Sequence, residues 1–311
     1  MRNLETSLRE NVRSESTPQS IQGWPFVLAT VAILCAAGWA YLIAMVADMV
    51  PVMDMSEAGP GMGFLNQFNI FKGLPAEARA ALAVICLPSG TTTFGMPGTE
   101  PTLVDTARIF VMWAMMALAM MLPGAVPMLR AYSANASARR TDPDETAVLP
   151  TLMALLGYLT VWLGYALAAT VVQVLLSKAG ALNEMMAPAS LALTTSVLFA
   201  AGLYQFTPAK RACLDRCWHP RWHFPQERST AGSGLKEGII QGWACLGCCW
   251  AGMTVMFAVG LMNVLWIVLL GALMAVEKTA PTRFLPIVIG AALIVWSASL
   301  AYLIYASAGP A

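Results

Sequence analysis

The chain has 311 residues, of which 58% are hydrophobic and 11% charged, and its net charge is +1. A soluble domain has about 45–50% apolar and about 25% charged residues, so this balance excludes a soluble globular domain, and no nucleic-acid partner is expected. Several uncharged stretches are long enough to cross a bilayer, which takes about 20 residues per helix, so the fold expected is an all-α, polytopic transmembrane helical bundle.

A polar cytoplasmic tail, residues 1–23, precedes the first apolar stretch, which is too long for the apolar core of a cleavable signal. The transmembrane helical domain then takes residues 24–311, with seven spans at 24–47, 109–128, 148–177, 190–206, 238–259, 261–276 and 284–306. Between the first two lies an outer loop, residues 48–105, whose Gly/Pro content argues against regular helix past Pro51. The stretch MVADMVPVMDMSEAGPGMG, which leads into it, offers Met45, Met49, Met53, Met55 and Met62 beside Asp48, Asp54 and Glu57. The fifth and sixth spans share one charge-free run between Glu237 and Glu277, with Gly260 and Asn263 as the turn of a tight hairpin. A basic loop, residues 207–237, holds both histidines, His219 and His223.

Orientation follows from Lys and Arg in the loops. One set holds Arg2, Arg9, Arg13, Arg130, Arg139, Arg140, Lys210, Arg211, Arg216, Arg221, Arg228, Lys236, Lys278 and Arg283; the other holds only Lys72, Arg79, Arg108 and Lys178. The richer set belongs inside, which puts the N-terminus in the cytoplasm and the C-terminus outside, in a multi-pass protein of a bacterial inner membrane. The lipid bilayer is thus its first partner.

Sulfur is the chemistry that stands out. In the second span, VMWAMMALAMMLP (111–123), Met112, Met115, Met116 and Met120 fall within an arc of about 140° at 100° per residue, while Met121 points away. In the fifth, Gln241, Cys245, Cys248, Cys249, Met253 and Met256 share an arc of about the same width. By depth both faces centre near the bilayer midplane, where they would meet if the helices are neighbours. Thioether and thiolate sulfur select soft ions, copper(I) above all, whereas zinc prefers a closed set of Cys, His or carboxylate. Cys213 and Cys217, in CLDRCWHPRWH, stand four apart and share a face if the fourth helix continues past Pro208. In a reducing cytosol they stay free for metal, and a basic loop lowers thiol pKa.

Packing explains the same residues in another way. Methionine fills irregular gaps, and Cys with Gly on one face lets membrane helices approach closely. Lys278 reads as interfacial, its stem snorkelling to the headgroups, and Asn263 as turn chemistry. No nucleotide loop, Ser/His/Asp set or acid pair placed for hydrolysis is present, so a catalytic role is not expected.

The blocks MWAMMALAMMLP, AGLYQFTPAKRACLDRC, GWACLGCCW, GLMNVLW and VEKT resemble, in order, those of a bacterial family described as predicted metal-binding integral membrane proteins; the resemblance runs from Arg108 to Lys278. It implies a multi-spanning, metal-binding protein and singles out Met112, Met115, Met116, Met120, Met121, Tyr204, Gln205, Cys213, Cys217, Cys245, Cys248 and Cys249.

The resulting expectation is a membrane protein that binds copper(I) and moves or delivers it across the inner membrane. Met112, Met115, Met116, Met120, Cys245, Cys248 and Cys249 would hold the ion, with Cys213 and Cys217 receiving or releasing it inside. A membrane complex or a soluble metallochaperone would be its protein partner. Two rivals stand beside it, an accessory or assembly subunit of a larger complex and a thiol–disulfide electron carrier in which Cys245 and Cys248 cycle.

Overall fold

A computed structural model of the chain describes residues 23–51, 53–69, 102–139, 146–183, 186–220 and 230–308. The tail before Gly23, residues 70–101 of the outer loop, and Lys72, Arg79, Arg140, Arg221, His223 and Arg228 lie outside the described residues. The described elements are all helices: α1 (Trp24–Met49), α2 (Leu103–Ala138), α3 (Val148–Lys178), α4 (Leu191–Tyr204), α5 (Pro208–Trp218), α6 (Ala231–Thr254), a single turn α7 (Met256–Val259), α8 (Val264–Thr279) and α9 (Phe284–Ala308), with two 3-10 turns at Met55–Ala58 and Met62–Phe68.

Among the described residues, five helices are long and apolar enough to cross a membrane: Trp24–Met49, Leu103–Ala138, Val148–Lys178, Ala231–Val259 and Phe284–Ser307. The expected fourth and sixth spans form shorter helices, α4 of 14 residues and α8 of 16. Large apolar side chains cover the outside of the bundle, Ile33, Leu167, Leu175, Val288 and Val295 among them, each more than half exposed.

Two sequence devices fix how the helices meet. Along α6, Gly234 and Gly238 lie against α3 so closely that a Cβ at either would collide with the carbonyl oxygens of Pro150 and Ala154. This small-residue stripe lets the two backbones touch, which is how helices pack tightly where water cannot drive them together. In α2, Pro123 has no N–H to give to the carbonyl four residues earlier. Cys35 of α1 supplies that donor instead, its Sγ lying 3.8 Å from Ala119 O.

The hairpin turn falls where expected. Gly260 takes φ of 99°, and Asn263 caps α8 by accepting from Trp266 N at 3.3 Å. The 53–69 loop sits on this turn, because Asn263 Nδ2 also donates to Pro60 O at 2.9 Å. The opposite end of the bundle, the basic end, departs from expectation. The loop drawn over 207–237 contains a helix of its own, since Thr207 caps α5 by accepting from Lys210 N at 3.3 Å and α6 starts at Ala231. The fourth helix therefore does not continue past Pro208. Buried charges pin α5 in place. Lys210 Nζ meets both Glu277 carboxylate oxygens, at 2.8 and 2.9 Å, Arg216 donates to Glu237 at 3.0 Å, and Trp218 Nε1 donates to Glu277 O at 2.8 Å.

Candidate metal centre

The three cysteines of α6 come together. The Sγ atoms of Cys245, Cys248 and Cys249 all lie within 4.8 Å of one another, and Cys248 and Cys249 are 3.3 Å apart. All three residues are buried, with 1–3% exposed. Residues i, i+3 and i+4 of a helix share a face, and the glycines on α6's neighbouring face draw it onto α3. The thiols are thereby shut into the interior. A metal–thiolate bond of about 2.3 Å, as zinc shows, sets sulfurs about 4 Å apart in a trigonal site, so three thiols in this range match one soft ion.

Groups from three other helices surround the thiols. Lys278, the penultimate residue of α8, is buried and directs Nζ at Cys245 Sγ, 3.0 Å away, and at Met121 Sδ, 3.6 Å away. Among the described residues no carboxylate pairs with it, because its neighbour Glu277 is taken by Lys210. A buried ammonium needs a compensating partner, and here that partner is sulfur. From α3, the Tyr158 hydroxyl lies 2.9 Å from Cys245 Sγ and donates to Met121 O at 3.1 Å. From α5, Cys217 Sγ stands 3.9 Å from Cys248 Sγ.

Several expectations change here. Lys278 is no interfacial snorkeller; it is buried and reaches Cys245 from the last turn of α8. Met121, set apart from the stripe by its angle, is the methionine that meets this network. α2 packs along α1, α3 and α8 rather than along α6, so the angle measured from the stripe does not decide which methionine meets Lys278. Met112, Met116 and Met120 are fully buried and Met115 half-buried. The Met120 side chain packs on Gly271, seven residues before Lys278 and thus about two turns along α8. Met116 and Met112 follow toward the N-terminal end of α2. Of the thiols, Cys245 lies beside the last turn of α8.

Cys213 and Cys217 share α5 but part in their surroundings. Cys213 fills the hollow over Gly247, where a Cβ would collide with its Sγ. Burial pushes the Cys213 thiol up, and nearby Cys245 adds to the rise, which reverses the lowering expected of a basic loop. Tyr204 donates to the Gly247 carbonyl, so this part of α6 is closed over. His219 Nδ1 lies 3.5 Å from Asp215 Oδ1 and is not among the three clustered thiols. Tyr158 and Lys278 escaped the sequence reading as site residues. A lysine directly after a glutamate was the available signal, since adjacent helix residues point about 100° apart and cannot both face one partner.

Residues 110–300 match the PpoB2 family, described as copper chaperone. The chain belongs to that family. The PpoB2 match begins inside α2 and ends inside α9, so it takes in every sulfur of the centre together with Tyr158 and Lys278, while α1 and the 53–69 loop precede it. No curated protein and no solved structure matches the chain.

Proposed function

We propose that this protein binds copper(I) at Cys245, Cys248 and Cys249 and delivers it at the bacterial inner membrane, across which the ion passes. The observation behind this reading is the closed group of three buried thiols in a chain of the copper chaperone family. A trigonal sulfur set without histidine or carboxylate suits copper(I) better than zinc, which takes four ligands. Three thiolates outweigh one copper(I) charge, and the Lys278 ammonium offsets part of that excess. When Cys245 gives up its proton to bind the ion, the Tyr158 hydroxyl can turn from Met121 O to donate to the sulfur. Met121 is the thioether in contact with Lys278, and Met112, Met115, Met116 and Met120 are assigned to packing, a role unbranched thioether side chains fill well.

The membrane part of the proposal draws on the apolar outer surface, which suits hydrocarbon and not water, and on the five long helices. With α4 and α8 added as short crossings, seven spans result, and the Lys/Arg bias puts the basic end in the cytoplasm. A soluble metallochaperone meeting the basic end is the partner this implies. The test is the copper(I) content of the purified chain. About one ion per chain is expected, falling to background when Cys245, Cys248 and Cys249 are all serine. Equal copper in both proteins would refute the site, and none in either would refute the function.

A further inference from the structure

We propose that a cleft at the basic end is the port of the thiol centre, and that Cys217 is its exchange ligand, taking copper(I) from a soluble thiol carrier and passing it to Cys248. The inference rests on the copper reading above and adds a route to it. The three resident thiols are 1–3% exposed, so no carrier can touch them directly. A cavity of about 340 Å³ opens beside them, bounded by Ala131, Cys217, Trp218, His219, Lys278 and Pro281. One wall is the half-buried thiol whose Sγ stands 3.9 Å from Cys248 Sγ, and another is the lysine whose Nζ stands 3.0 Å from Cys245 Sγ. The cleft therefore touches the centre twice, at the positions where an ion would arrive and where its charge would be met.

Cys213 does not line this cleft, being turned onto Gly247. The cavity at the other end, about 680 Å³ beside the 53–69 loop, is lined by no sulfur at all. The register of Cys217 is held by the pairs Lys210–Glu277 and Arg216–Glu237 before it in α5 and by Trp218, which donates to Glu277 O, after it.

The step is a ligand exchange. As Cys217 binds the ion its thiol proton leaves to water, and the carrier's departing thiolate takes one up. Cys248 then forms its own copper–sulfur bond while the bond to Cys217 breaks, with one proton lost and one gained. Copper remains in the +1 state throughout, so no oxidant or reductant takes part.

The experiment loads the purified full chain with copper(I) and follows its removal by excess bathocuproine disulfonate in stopped flow. Cys217→Ser is expected to hold as much copper as the unaltered chain but to release it at least about tenfold more slowly, as a bridging group lost from an intramolecular path would dictate. Cys217→Met should recover part of the rate and Cys213→Ser all of it. Release from Cys217→Ser at the unaltered rate would overturn the port. A Cys217→Ser protein that holds no copper would overturn it too, making Cys217 a resident fourth ligand. If the unaltered chain itself holds no copper, the function fails first and the port with it. Iodoacetamide on the loaded, unaltered chain gives an independent reading. Cys217 should be alkylated while Cys245, Cys248 and Cys249 are spared, and equal protection of all four would contradict the proposal.

Discussion

Lys278 Nζ lies 3.0 Å from Cys245 Sγ inside the bundle, an ammonium facing a thiol with no carboxylate on it among the described residues. Removing it tests whether it tunes the site or merely fills space. Lys278→Met keeps length and leaves no buried charge behind, so the fold should persist. Loss of an outer-shell partner typically costs about 10–100-fold in metal affinity, and a fall of that order is expected in chelator competition. Unchanged affinity would reduce Lys278 to a structural residue.

The methionines divide into two groups. Met112→Leu, Met116→Leu and Met120→Leu together should leave copper occupancy near normal, since such swaps in a core usually cost under about 1.5 kcal/mol each. Met121→Leu, at the position whose sulfur meets Lys278, should weaken copper retention while leaving yield unchanged. Loss of copper in the triple variant with retention in Met121→Leu would return the ligand role to the stripe.

Cys213 should alkylate slowly at neutral pH, because burial raises its thiol and only the thiolate reacts. Its rate of modification by a soluble maleimide in metal-free protein is expected to keep rising with pH beyond the range in which an unhindered thiol levels off. A plateau at or below the ordinary thiol range would contradict the burial seen over Gly247.

The contact between α3 and α6 admits no side chain at Gly238, where a Cβ would strike Ala154 O. Gly238→Ala should therefore part the helices, at a cost of about 1–3 kcal/mol as overpacking usually imposes, and lower the yield of folded protein. Gly232→Ala, at a position with open space, serves as the control and should be neutral. Equal yields from both would mean that α6 does not sit against α3 in this way.

Much of this arrangement was legible in the sequence, and the limits have physical causes. Helix periodicity put Cys245, Cys248 and Cys249 on one face, because i, i+3 and i+4 depend only on the turn of the helix. The turn at Gly260 and Asn263 was equally local. What periodicity cannot supply is which helix each face meets. Met121 was set aside because its angle was judged from its own helix, whereas Lys278 reaches it from α8. Lys278 was read from the average habit of lysines at helix ends, and its burial depends on Glu277 being engaged by Lys210, a pair 67 residues apart. The helix break before Pro208 was the open alternative in the reading of Cys213 and Cys217. It gave α5 its own direction and brought Cys217 to Cys248.

The central claim is that one copper(I) sits among three thiolates. X-ray absorption at the copper edge of the purified, loaded chain tests it most directly. The account predicts a +1 edge and a shell of about three sulfurs at a bond length near the 2.3 Å of metal thiolates, with no nitrogen or oxygen, and its disappearance in the Cys245→Ser, Cys248→Ser, Cys249→Ser variant. A shell containing nitrogen or oxygen, or an unchanged sulfur shell in that variant, would contradict it.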